Sequence, residues 1–104
     1  MKNEEMIITE EKIPDGIKLF VKGYVNFTNA PELQSRLDEK IKNGEFNIVL
    51  NMSKVEYISS AGIKAILKAF KEAKNSDGDL KIEEPSENVR NVLSMTALNM
   101  LIAK

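Results

Sequence analysis

Phe46-Asn47-Ile48-Val49-Leu50-Asn51, followed by Tyr57-Ile58-Ser59-Ser60-Ala61-Gly62 and the run from Ile63 to Lys74, is the stretch whose reading decides the fold. The first six residues are nearly continuous in apolar character, as expected of a central strand buried on both faces. From Ser60 to Lys74, Ile63, Ile66, Leu67 and Phe70 recur on one side of a helix while Lys64, Lys68, Lys71 and Lys74 take the other. The lysine row reads as a solvated face. Asn75-Ser76-Asp77-Gly78 stops the helix.

Working outward toward the N-terminus, Met6 to Glu11 alternates weakly and reads as a strand, and Pro14-Asp15-Gly16 is a turn signal. Ile17 to Val21 completes a hairpin whose far end Gly23 marks. Phe27-Thr28-Asn29-Ala30-Pro31-Glu32 combines capping residues, a first-turn proline and an acid that complements the dipole, so a helix begins near Asn29 or Ala30. Leu33, Leu37 and Ile41 give that helix its buried stripe, and Asn43-Gly44 its exit. Toward the C-terminus, Leu80 to Glu83 is a short strand and Pro85-Ser86-Glu87 opens a helix with Val89, Val92 and Leu93 inward. Thr96 to Ala103 reads either as a last helical turn followed by a short strand or as one continuous helix. Strands joined through helices pair in parallel by right-handed crossovers. The order therefore implies an α/β domain with a mixed, mostly parallel sheet covered by helices, on one face or on both.

Composition narrows the chemistry. One domain over residues 1–104 is long enough for a single core without disulfide or metal support. There is no cysteine and no histidine, so thiol catalysis, cysteine-ligated metals, the commonest general base and the commonest transition-metal ligand are all absent. No cofactor is expected. A net charge of −1 offers no field for nucleic acid or anionic lipid. No apolar run approaches the ~20 residues of a spanning helix, and Met1-Lys2-Asn3-Glu4-Glu5 lacks the basic start of a signal peptide. A cytoplasmic protein without direct membrane insertion is expected.

Ser59 and Ser60 put two hydroxyls at a helix N-terminus, where the first N–H groups have no intrahelical partner and the dipole favours negative charge. A serine there is a natural cap worth ~1 kcal/mol, and a phosphate on it is well placed. Ser60 is taken as the cap and as a candidate switch. Gly62, just inside the helix, costs ~1 kcal/mol against alanine unless another backbone or a partner must come close. Asn26 and Asn51 read as turn and strand-end residues. Met52, Met95 and Met100 read chiefly as fillers of core gaps, the alternative being an adaptable contact surface.

Leu50-Asn51-Met52-Ser53-Lys54-Val55-Glu56-Tyr57-Ile58-Ser59-Ser60-Ala61-Gly62-Ile63 resembles the STAS domain family, and within it the bacterial anti-sigma factor antagonists. Gly23-Tyr24-Val25-Asn26 and Thr28-Asn29-Ala30-Pro31-Glu32-Leu33 are similar to a second landmark of that family. The resemblance implies a single-domain STAS-like sandwich. It implies that Ser60 is the serine phosphorylated by a partner kinase, with Ser59, which stands at the family's aspartate, as the alternative acceptor, and Asn26 at another position where aspartate is common. It also implies a partner-binding surface of Asn26, Thr28, Ser59, Ser60, Ala61, Gly62 and Lys64. The family's usual C-terminal helix is expected to be missing, since little follows Leu98-Asn99-Met100-Leu101.

The function implied is a phosphorylation-switched binding module. Unphosphorylated, it sequesters an anti-sigma factor serine kinase of the histidine-kinase-like ATPase fold and so releases a sigma factor for transcription; a serine phosphatase resets it. The alternative is a constitutive STAS scaffold or adaptor subunit, in a stress-signalling assembly or a lipid-transport complex, without a phospho-switch. An enzyme is not expected. A Ser-His-Asp triad is excluded without histidine, and the Ser-x-x-Lys arrangement fails because Lys64 lies four residues after Ser60.

Overall fold

A computed structural model describes residues 5–103. β1 (Met6–Ile13) and β2 (Gly16–Val25) form the hairpin, running in register from Met6 opposite Gly23 to Ile13 opposite Gly16. Then follow α1 (Ala30–Lys42), β3 (Asn47–Ile58), α2 (Ser60–Asn75), β4 (Asp79–Glu83), α3 (Glu87–Met95) and a 3₁₀ turn at Asn99–Leu101. The sheet order is β1-β2-β3-β4, with β1 antiparallel to β2 and the remaining pairs parallel, so the mixed, mostly parallel sheet follows from the element order.

Two strands run further than their apolar runs suggest. β2 continues through Gly23 to Val25, with Gly23 at φ +97°, a conformation that glycine adopts without steric cost. A register shift at Gly23/Tyr24 lets Tyr24 and Val25 pair with Tyr57 and Ile58. β3 likewise extends from Asn47 past Met52 to Ile58, so Asn51 is mid-strand rather than a strand end.

Burial corrects the reading of the central strand. Ile48, Leu50 and Met52 are buried while Val49 and Asn51 are half-buried and Ser53 is exposed, which is the alternation of a strand covered on one face. The cause is that all three helices pack on the same side. A single core joins Leu19, Leu50 and Ile82 of the sheet to Leu37 of α1, Ile66 of α2 and Leu93 of α3. Among the described residues the other sheet face has no helix on it. On α2 the buried line is Ile63, Ile66, Ala69 and Ala73, with Leu67 and Phe70 at its margin.

The tail takes the first of its two expected forms. After the 3₁₀ turn, Ile102 makes a single parallel bridge to Ile82 of β4 and Leu101 is buried. Of the methionines, Met52 is core, but Met95 and Met100 are exposed. No helix among the described residues is long and apolar enough to cross a membrane.

Candidate functional site

β2 and β3 are adjacent and parallel, so the loops leaving their C-terminal ends emerge side by side, each leading into a helix. In open α/β sheets this end of the strands is where sites are built. The two loops are tied by the Ser59 N–H, which donates to the Val25 carbonyl at 2.8 Å.

The first loop is held by its asparagines. Asn26 Oδ1 accepts from the N–H groups of Thr28 at 3.0 Å and Asn29 at 2.9 Å. Asn29 Oδ1 accepts from Asn26 N–H at 2.9 Å, and Asn29 Nδ2 donates to the Tyr24 carbonyl at 2.9 Å. Asn29 thus precedes α1 without capping it by its side chain; Asn26 holds the turn before it. Short polar side chains that bond nearby backbone make such turns rigid.

At the second loop the two serines have different tasks, and the assignment of the cap to Ser60 is corrected. Ser59 is the N-cap, extended at φ −88° and ψ 170°, its Oγ accepting from Gly62 N–H at 3.3 Å. Ser60 is the first helical residue and exposed, and among the described residues its hydroxyl has no partner. The reason is backbone geometry: β3 stays extended through Ile58, so the non-helical position that a cap requires falls on Ser59. The first turn of α2 contains no acidic residue, whereas α1 has Glu32 and α3 has Glu87.

Gly62 is buried, and a Cβ there would lie 2.7 Å from Val25 Cγ1 and 2.9 Å from Ile58 Cγ1. The close approach that this glycine permits is that of α2 to the ends of β2 and β3. Ala61 is half-buried; Lys64, one turn beyond Ser60, is exposed, as is Thr28.

Phe27 joins these residues and was not singled out from the sequence. It is 80% exposed between two depressions. One, of about 530 Å³, also touches Ala61, Lys64 and Asp38; the other, of about 380 Å³, touches Asn26, Thr28, Tyr24 and Tyr57. The Tyr24 and Tyr57 rings lie 6.2 Å apart, and Tyr57 is 47% exposed. Phe27 sits in a polar loop outside any helical or strand period, which is the signal in the sequence that marks it. Among the described residues no cluster of acidic side chains is arranged to hold a metal ion.

The STAS domain family profile matches residues 8–104. A relative from Bordetella bronchiseptica described as "Putative anti-sigma factor antagonist BtrV" is 32% identical over 91 residues, 88% of this chain and 78% of that protein. The anti-sigma factor antagonist SpoIIAA in its unphosphorylated form has the same fold, with a TM-score of 0.83 at 17% identity over 93% of this chain and 86% of that one. The Bacillus cell fate determinant SpoIIAA in its phosphorylated form gives 0.77 at 16% identity over 93% and 89%. With the profile spanning nearly the whole sequence and this mixed sheet carrying its helices on one side, the chain belongs to the STAS domain family.

Proposed function

We propose that the domain is a phosphorylation-switched binding module: unphosphorylated, it binds an anti-sigma factor serine kinase of the histidine-kinase-like ATPase fold in the cytoplasm, and a sigma factor is thereby released for transcription. The observation that carries this reading is the division of labour between the serines. Ser59 supplies the cap, which leaves the Ser60 hydroxyl exposed and unengaged at the first helical position.

A phosphate on Ser60 brings about 1.5 to 2 negative charges to a helix start that carries no acid of its own. The dipole and the free N–H groups of the first turn favour it there. Lys64 is one turn away on the same helix. The modified domain therefore keeps its fold, and the charge and bulk act on the surface shared with Phe27, Thr28 and Ala61, where they repel the kinase at its bound nucleotide. A serine phosphatase restores the binding state. The domain acts in this reading as a binding protein rather than an enzyme, since among the described residues the Ser60 hydroxyl has no hydrogen-bonded partner to serve as its base.

Two measurements on one preparation test the reading. Incubation with the cognate kinase and ATP adds one phosphate, which fragmentation mass spectrometry places on Ser60. By titration calorimetry Ser60→Asp binds that kinase at least about tenfold more weakly than the wild type, or ~1.4 kcal/mol. Phosphate on Ser59 alone overturns the choice of serine; equal binding by wild type, Ser60→Ala and Ser60→Asp overturns the switch in favour of a constitutive scaffold.

A further inference from the structure

The sheet face opposite the helices carries features that the Ser60 switch does not use. β1, β2 and β3 align there in two neighbouring rows: Ile7, Lys22 and Lys54 lie abreast, as do Thr9, Phe20 and Asn51. Beyond the second row, Glu83 of β4 accepts from Lys18 Nζ at 2.9 Å and from Asn51 Nδ2 at 2.8 Å, so Lys18 has its counter-charge.

Among the described residues Lys22 and Lys54 have none. They face each other across the β2/β3 pairing, and among the described residues neither has a carboxylate within ion-pair distance. Glu56, two residues beyond Lys54, instead takes the Tyr24 hydroxyl at 3.5 Å. Like charges at directly opposed positions repel. Next to them Ile7 and Phe20 line a depression of about 470 Å³, with Ile7 47% exposed at its edge. A volume of this order suits a small molecule, for which sites run from about 300 to 1,000 Å³.

We propose that this face binds an amphipathic anion, a small molecule whose carboxylate or phosphate lies between Lys22 and Lys54 and whose apolar body covers Ile7 and Phe20. An inorganic anion neutralises the lysines but leaves the apolar floor wet. An uncharged apolar molecule covers the floor but leaves the two lysines without a counter-charge. Only a molecule with both parts gains charge-assisted hydrogen bonds and apolar burial together. The site is separate from Ser60, so it stands or falls independently of the phosphorylation switch.

Amide-resolved NMR titration of the whole chain with decanoate and with decyl phosphate, each below its micelle-forming concentration, tests it. Saturable shifts centred on Ile7, Phe20, Lys22 and Lys54 are expected with at least one of the two. Decanol and inorganic phosphate, each carrying half of the required chemistry, should bind there at least about tenfold more weakly. The Lys22→Gln/Lys54→Gln double variant should retain its dispersed spectrum and reduce the better amphiphile to the affinity of decanol. The proposal is overturned if neither amphiphile gives saturable shifts at these residues, if inorganic phosphate binds as well as they do, or if the double variant binds them undiminished.

Discussion

Ser59 and Ser60 are neighbours in sequence, yet α2 begins between them, and their hydroxyls part company for that reason. Removing the capping oxygen leaves the Gly62 N–H without its side-chain acceptor. Ser59→Ala should therefore lower stability by ~1 kcal/mol, while Ser60→Ala should stay within ~0.5 kcal/mol of the wild type; denaturant unfolding of the pair checks the assignment. Gly62 obeys a different constraint. Alanine there gains ~1 kcal/mol of helix propensity but drives a methyl group into Val25 and Ile58, both buried and β-branched, with little freedom to turn aside. Overpacking of this kind costs ~1–3 kcal/mol, so Gly62→Ala should be destabilised by ~1 kcal/mol net. A more stable variant would show that α2 can lift off the strand ends at no cost. The sequence marked Gly62 as a place of close approach, but two side chains lying 37 and 4 residues earlier in the chain decide what approaches it.

At the scale of elements, the loop between β2 and α1 is a preformed turn whose stiffness comes from Asn26 accepting two backbone N–H groups. Asn26→Ala should cost ~1 kcal/mol and weaken partner binding by loosening Phe27 and Thr28. Asn26→Asp keeps an oxygen in the same place and adds a charge favourable to the start of α1, so its stability should equal or exceed the wild type by up to ~0.5 kcal/mol. Thermal unfolding of both variants beside kinase titration separates acceptor geometry from charge. The α1 start was legible from Pro31 and Glu32, because the preferences of a first-turn proline and of an acid beside the dipole are local, although Asn29 stands at the cap position without its side chain bonding the helix. The extensions of β2 to Val25 and β3 to Ile58 were not, since each strand is held there by the other and no single segment contains that partner.

For the whole molecule, ionic clusters around Glu10 and Glu83 join elements far apart in the chain. Glu10 of β1 accepts from Arg36 at 3.0 Å and Lys40 at 2.6 Å, both on α1, and Glu83 joins β4 to Asn51 of β3 and Lys18 of β2. The bonds from Lys40 and Arg36 hold the Glu10 carboxyl below its ordinary range, and those from Asn51 and Lys18 do the same for Glu83. A carboxylate with a lowered folded-state pKa contributes stability that is complete above the unfolded value and is lost as the pH falls through the folded value. The wild type should accordingly exceed the Glu10→Gln/Glu83→Gln variant in thermal midpoint at pH 7, and the gap should close as the pH falls below about 4. Since both groups are partly solvated, the gap is modest; a gap that widens in acid would contradict the assignment. What the sequence determined by itself was whatever is encoded locally: the helix periods, the turn at Pro14-Asp15-Gly16, the order of elements and hence the parallel crossovers, and the motif around Ser60. Tertiary structure alone decided that the helices cover one face of the sheet, that Lys22 meets Lys54 on the other, and that Phe27 stands exposed beside α2. Val49 shows why. An apolar residue in an apolar run reads the same whether a second helical layer covers it or not, and only the packing of distant segments determines which side of a strand meets water.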